Sequence, residues 1–146
     1  MKTHRTRLSA AAACSVAALL TAATPAVAAD LTLNVSNIAS TDGSMMIAVY
    51  DSKKGFDKKS TYRAINRRVE QAEMRVVLAD MPAGEYAVML FQDLDGNEKL
   101  DTNMLGIPKE PWSASLEGRS VFGPPAWSDV NFKIGEQNVS IKISLN

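Results

Sequence analysis

The sequence predicts an all-β protein, a single antiparallel β-sandwich of about seven short strands. Three observations predict it: several stretches alternate apolar and polar residues, turn residues separate these stretches, and almost no segment shows a helical period. Two long segments interrupt the strands. One is a basic crossover, short and helical or irregular, over 52–73, and the other is a Pro/Trp-rich loop excursion from Asp93 to about Ser128.

The first 29 residues have the three-part layout of a secretory signal peptide. A basic start and an apolar middle precede Ala26-Val27-Ala28, a pattern typical of cleavage before Ala29 or Asp30. We therefore expect a signal peptide over 1–29 and a sandwich domain over 30–146, exported to the periplasm or the extracellular space. No later stretch approaches the roughly 20 apolar residues that a membrane span needs.

The predicted exported domain has neither His nor Cys, because the single His4 and Cys14 lie in the signal peptide. That composition excludes Ser-His-Asp triads, Cys-His dyads and ordinary zinc sites. Of the 16 basic residues three lie in the signal peptide, so the domain has 13 against 16 acidic residues, a balance of −3. Such a balance gives no indication of nucleic acid as a partner.

The predicted strands follow one another along the domain. The stretch 31–35 alternates, and a second apolar strand covers 44–51 after a Ser-Thr-Asp-Gly turn, so these two are predicted to form a hairpin. The stretch 74–91 repeats the layout around a Pro-Ala-Gly turn. The last two predicted strands, 130–134 and 139–145, alternate strictly between apolar and polar residues.

The basic crossover carries seven of the domain's 13 basic residues. Around 57–65 it is predicted to form a short helix or an irregular lid, with Phe56, Tyr62 and Ile65 facing inward. A charge run is usually a solvated face, but it also offers a patch for an anionic envelope polymer. The patch candidates are Lys53, Lys54, Lys58, Lys59, Arg63, Arg67 and Arg68.

The segment Phe91 to Glu110 reads "FQDLDGNEKLDTNMLGIPKE", with acids and amides recurring at alternate positions from 93 to 103 except at Lys99. Counted from Asp93 as position 1 of a calcium loop, positions 1, 3 and 5 supply side-chain oxygens, position 7 a backbone carbonyl and position 9 a carboxylate. The loop is not an EF-hand, because position 6 lacks Gly and position 12 lacks Glu. The candidate calcium ligands are Asp93, Asp95, Asn97, Lys99 through its backbone carbonyl, and Asp101.

Other interpretations of the excursion stay open. The same residues are good turn formers whose side chains bond their own backbone, which predicts a purely structural loop without metal. Asp93 and Asp101 could serve as acid and base of a hydrolase, but nothing in the sequence supplies apolar surroundings to raise one pKa, so no catalytic residue is predicted. Trp112 and Trp127 either cap one end of the core or line a shallow ligand groove.

Three segments, "MPAGEYAVMLFQD", "DLDGNEKLDTNMLGIPKEPW" and "GRSVFGPPAWSDVNF", together resemble a bacterial family of secreted proteins known as domain of unknown function 2141. The resemblance implies the fold and export, but no reaction. "MPAGEYAV" is also similar to a turn and strand of transthyretin-like and Cna-B-like sandwiches. Gln92 stands where the family often has His, and Glu98 where it often has a second Gly, so no His ligand is implied here.

Together these observations favour a cell-envelope binding or accessory module of unknown ligand over an enzyme. Its partner would be an anionic envelope polymer or another envelope protein, and its one expected cofactor is calcium.

Overall fold

The computed structural model describes residues 28–118 and 123–146. The predicted signal peptide therefore lies outside the described residues except for its last two. No helix in the described part of the chain is long and apolar enough to cross a membrane. The elements are β1 Ala29–Ser36, β2 Ser44–Tyr50, α1 Lys53–Asp57, β3 Arg63–Arg68, β4 Met74–Met81, β5 Gly84–Asp93, β6 Trp112–Ala114, a 3-10 helix Ser115–Glu117, α2 Trp127–Val130, β7 Phe132–Ile134 and β8 Val139–Ser144.

The strands form two sheets, which confirms the predicted sandwich. One sheet has three strands in the order β4-β1-β8, and the other has the order β3-β2-β5-β6, with β7 also paired with β5. All pairs are antiparallel except β1 and β8, which run parallel from Leu31 opposite Val139 to Ser36 opposite Ser144. The parallel pair differs from the expectation, because alternation within a strand carries no information about the direction of its neighbour.

The predicted hairpin between the first two strands is wrong, because β1 and β2 lie in different sheets. The residues between them, 37–43, carry the chain across the sandwich, and Ile38 is buried in the core at this crossing. The strands on either side of the Pro-Ala-Gly turn also separate, since β4 pairs with β1 and β5 with β2. Apolar alternation determines which face of a strand is buried but not which strand it pairs with.

The basic crossover contains a strand that the sequence analysis missed. Helix α1 ends at Asp57, where the predicted helix was expected to begin, and β3 then pairs with β2 at the edge of the five-stranded sheet. Arg63 donates to two backbone carbonyls of β4, at 2.9 and 3.4 Å, and so links the edges of the two sheets. Phe56 and Ile65 are half-buried as expected, whereas Tyr62 is 38% exposed.

The five-stranded sheet is apolar on both faces. Its inner face contributes Met45, Ile47, Val49, Val88 and Leu90 to the core between the sheets. Since successive strand residues point to opposite sides, the neighbouring residues of β2 and β5 face outward, where a second cluster forms beneath the two short helices. That cluster comprises Tyr50, Ala87, Ala114, Trp127 and Val130.

The buried hydroxyl of Ser115, in the 3-10 helix, fixes that helix and α2 to this outer face. Its Oγ accepts the N–H of Val88 in β5 and donates to the carbonyl oxygen of Val130 in α2. One side chain here provides a partner for a backbone donor of β5 and for a backbone acceptor of α2. This matters because a buried polar group without a partner lowers the stability of the fold.

Candidate functional site

The acidic loop begins where β5 ends, and its first carboxylate is buried. Asp93 is 2% exposed and pairs with Ser44 at the start of β2. Gly43 has a φ of +71°, and a Cβ there would lie 2.0 Å from the Asp93 carbonyl oxygen. Only glycine permits this close approach. The crossing between the sheets and the start of the loop are thus in direct backbone contact.

The Asp93 carboxylate organises the turn that follows it. Its oxygens accept the backbone N–H groups of Gly96 at 2.8 Å and Glu98 at 2.9 Å. Burial raises the pKa of Asp93, but the backbone N–H groups of Glu98 and Gly96, and to a smaller extent that of Asn97, lower it further than burial raises it. The pKa of Asp93 therefore lies below its ordinary value, and the carboxylate is ionised at neutral pH.

A second buried carboxylate, Glu110, joins the two arms of the loop. It is 8% exposed, and its Oε1 accepts the N–H of Leu94 at 2.9 Å while its Oε2 accepts the N–H of Asp101 at 3.1 Å. The backbone bond from Gln92 N to the carbonyl of Pro111, at 2.8 Å, holds the returning arm beside β5.

Asp93, Asp95 and Glu110 form a carboxylate triad. One oxygen from each lies within 4.8 Å of the other two. The ion pairs within residues 28–118 and 123–146 join Lys53 to Asp57 and Lys133 to Glu85, so none of them neutralises the triad. Three acids this close repel one another unless a cation or a proton intervenes. The triad is therefore an arrangement that could hold a metal ion.

Of the five predicted ligands, Asp93 and Asp95 belong to the triad. Asn97 donates its amide to Asp95 at 3.0 Å and to Asp101 at 3.2 Å, while its oxygen accepts the N–H of Lys99 at 2.7 Å. Asn97, Lys99 and Asp101 thus brace the loop beside the triad. Glu110 was missed because it lies outside the loop count, and its one sequence signal is an acid placed between two prolines before a tryptophan.

Residues 33–142 match a family described as an uncharacterized protein conserved in bacteria, DUF2141. The chain belongs to this family. No curated protein and no solved structure matches the chain.

Two positions at which this DUF2141 chain departs from the expected pattern have clear structural roles. The buried Gln92 donates its amide to the carbonyls of Ser40 at 2.9 Å and Asp42 at 2.7 Å, so it ties the crossing between the sheets to β5. Glu98 has a φ of +59°, in the left-handed region that glycine enters freely. The Gly implied here by the resemblance would therefore fit without strain.

The two tryptophans of the DUF2141 chain have different surroundings. Trp127 is 9% exposed and packs in the outer cluster, where its ring lies 5.7 Å from that of Phe56. Trp112 is half-buried and stands opposite Phe91, so both side chains lie on the outer face of the sheet. Trp127 therefore packs as a cap of the outer cluster, and Trp112 lies on the face that carries the groove described below.

The predicted basic patch is divided among several surroundings. Lys53 pairs with Asp57 at 2.6 Å, and Arg63 binds carbonyls of β4. Lys54 and Lys58 line a small surface pocket of about 420 Å³ beside α1, which the carboxylate of Asp51 also lines. The remaining candidates are Lys59, which lines the groove on the outer face, and Arg67 and Arg68, which are exposed on the edge strand β3.

Proposed function

We propose that this DUF2141 protein is an exported, non-catalytic binding or accessory module of the cell envelope whose acidic loop is stabilised by a calcium ion. The observation that carries the proposal is the meeting of Asp93, Asp95 and Glu110 within 4.8 Å. Calcium prefers several oxygen ligands in an adaptable geometry, and backbone carbonyls or waters would complete its coordination shell.

The chemistry of the triad fits a hard cation. Each carboxylate oxygen of Asp93 and Glu110 accepts one backbone N–H, which leaves lone pairs for an ion. The same N–H groups hold the carboxylates in place, so little side-chain freedom is lost when an ion binds. An ion would also relieve the repulsion among three acids with which no lysine or arginine of the described residues forms an ion pair.

A purely structural loop is the second candidate, and the same hydrogen bonds favour it. The two buried carboxylates already cap four backbone N–H groups, so the turn has a folding mechanism that needs no metal. Calcium is therefore proposed as an added stabiliser of a loop that is already formed.

The lowered pKa of Asp93 supports a binding role over a hydrolytic one. A general acid of a hydrolase needs a raised pKa, whereas the pKa of Asp93 is lowered by its backbone N–H partners despite its burial. The carboxylate of Asp101 accepts the side-chain amide of Asn97. A carboxylate-dependent hydrolase stays a remote alternative.

The signal peptide pattern over 1–29 supports a periplasmic or extracellular location. The exposed arginines of β3 and lysines of α1 support contact with an anionic envelope polymer, and another envelope protein is the alternative partner. The two-sheet architecture, in which β6 and β7 are only three residues long, is compatible with the seven-stranded transthyretin-like or Cna-B-like subtype.

Calcium titration of the metal-free exported protein tests the proposal. At calcium one hundred times its dissociation constant, the free energy of unfolding should rise by about 2.7 kcal/mol, which shifts the melting temperature by several degrees. Asp95→Asn should abolish the gain. Asp101→Asn, which removes an acid of the same loop outside the triad, should retain it.

The two variants also separate the triad from the ligand set predicted by the loop count. Loss of the gain in Asp101→Asn as well would mean that the ion is bound by the loop in a different arrangement. A wild-type melting temperature that does not change in millimolar calcium would contradict the metal part of the proposal and leave the structural loop.

A further inference from the structure

The outer face of the five-stranded sheet carries a groove of about 810 Å³. Its floor is apolar and consists of Met46 and Ala48 from β2, Met89 and Phe91 from β5, and Ala64 from β3. This volume lies within the range of small-molecule sites, which are typically apolar with a few polar groups at their margins.

The sequence builds the groove through strand register. Ala48 stands opposite Ala64 on one side and Met89 on the other, and the next outward row is Asn66, Met46 and Phe91. Two alanines side by side leave a depression between larger neighbours. Methionine side chains are unbranched and polarisable, so the floor can adapt to an alkyl chain.

Packed aromatic residues preform one end of the groove. Tyr50 and Phe56 meet edge to face with ring centroids 5.2 Å apart, and Trp127 supports Phe56 from behind at 5.7 Å. Pro124 and Pro125 add a lip of restricted backbone. Since these aromatic side chains are already packed, ligand binding would lose little side-chain entropy at this end.

The two ends of the groove carry opposite charges. Lys59 lines the end near Tyr50, and the neighbouring Asp57 is already paired with Lys53 at 2.6 Å. The ion pairs of the described residues leave Lys59 without a carboxylate partner. Glu98 lines the other end, because its backbone N–H binds Asp93 where β5 ends. An acidic ligand group is therefore favoured at the Lys59 end and disfavoured at the Glu98 end.

We propose that the groove binds a single-chain amphiphile with an acidic head, a long-chain fatty carboxylate. Its alkyl chain lies over Met46, Met89 and Phe91, and its carboxylate pairs with Lys59. From Met46 to Tyr50 the strand rises roughly 13 Å, which suits an extended alkyl chain. The inference rests on the binding role in the proposed function, names the class of ligand for it, and does not depend on calcium.

Calorimetric titration with dodecanoate, in EDTA and below its micelle concentration, tests the proposal on the purified exported protein. We expect one dodecanoate per chain, and affinity that falls about fourfold for each methylene removed, down to octanoate. Dodecyltrimethylammonium, which has the same chain and a cationic head, should bind at least tenfold more weakly.

Two variants locate the site. Ala64→Leu fills the depression from the exposed edge strand and should weaken dodecanoate binding at least tenfold. Lys59→Gln should weaken it about fivefold to tenfold and remove the preference for the acidic head. The matched controls lie on the other sheet: Ala79→Leu and Lys142→Gln replace exposed residues of β4 and β8, and should stay within twofold of the wild type.

Several outcomes would overturn the inference. These are no detectable dodecanoate binding, equal binding of the two head groups, binding that Ala64→Leu leaves intact, or a dimer in solution that Ala64→Leu dissociates, which would make a second copy the occupant. The calcium-dependent rise in melting temperature is an independent measurement. Its persistence without dodecanoate binding would remove this inference alone.

Discussion

The core between the sheets and the acidic loop from Asp93 to Glu110 are held together by different forces. The core is built from fully buried aliphatic residues such as Leu31, Leu33 and Ile143. The loop exposes most of its residues and instead relies on carboxylates that accept backbone N–H groups. Apolar burial is non-directional and insensitive to pH, whereas hydrogen bonds to a carboxylate are directional and are stronger when the acid is ionised. One chain thus contains an apolar scaffold and a loop that is held by carboxylates.

The two regions meet at the crossing between the sheets. Gly43 touches the backbone of Asp93, and Gln92 reaches from β5 to the carbonyls of Ser40 and Asp42. The loop is therefore fixed at its base, and its far part carries Glu98 and Leu100 to the margin of the groove. The same loop that begins at the buried Asp93 thus also borders the groove.

The largest effect should come from the core. Leu33 is fully buried in the centre of β1, between Val76 of β4 and Ile141 of β8. Leu33→Ala should lower the free energy of unfolding by about 2–5 kcal/mol, because it removes apolar contacts and leaves a cavity. Urea denaturation at pH 7 measures the loss, which should be the same in EDTA and in calcium.

The exposed neighbour Val77 gives the matched control for this change. Val77→Ala, on the solvent side of β4 at 47% exposure, should change the free energy of unfolding by much less. A loss in Leu33→Ala that grows or shrinks with calcium would break the distinction between the scaffold and the loop.

A smaller and local effect should follow from Glu110→Gln. The replacement keeps one oxygen acceptor but turns an amide donor toward the N–H of Leu94 or Asp101, so a partly buried donor loses its partner. We expect a loss of about 1–3 kcal/mol in the free energy of unfolding. Hydrogen exchange should speed up at the amides of Leu94 and Asp101 while those of β1 stay protected.

Glu85→Gln is the control for Glu110→Gln, since it removes an acid from an exposed ion pair with Lys133 at 3.8 Å. Such surface pairs contribute little, so stability and loop exchange should barely change. Unchanged protection of Leu94 and Asp101 in Glu110→Gln would mean that the carboxylate does not join the two arms of the loop.

The sequence predicts this fold at the level of strands and layers, and the reason lies in alternation. In β1 and β8 the period of two identifies the buried face directly. It does not identify partners, so alternation predicts a hairpin where the chain crosses between the sheets, and it gives no sign of the parallel pairing of β1 with β8. The strand β3 was hidden because an edge strand with arginines on both faces has no apolar alternation.

The site could be predicted only as far as local spacing reaches. Asp93 and Asp95 follow from the acid count along the loop, and both belong to the triad. Glu110 does not, because its place is set by the returning arm and by the pairing of β6 with β5. The sequence alone also does not predict the groove, because the groove depends on the register of three strands, each of which contributes one or two of its residues.

The smallest effect is expected on acidification. It tests whether the stability of the loop, unlike that of the core, depends on an ionised carboxylate. The pKa of Asp93 is lowered in the folded protein relative to its ordinary 3.8. The stabilisation from its ionised form is therefore fully present above the unfolded pKa and is lost as pH falls through the folded pKa. Denaturation at pH values from 6 down to 2 should show this loss in the wild type but not in Asp93→Asn, whose curve should be flatter below about pH 4. Glu136→Gln, on the exposed turn after β7, should keep the wild-type slope. An equal slope in Asp93→Asn and the wild type would mean that the N–H groups of Gly96 and Glu98 do not favour the ionised carboxylate, and the loop would then rest on packing as the core does.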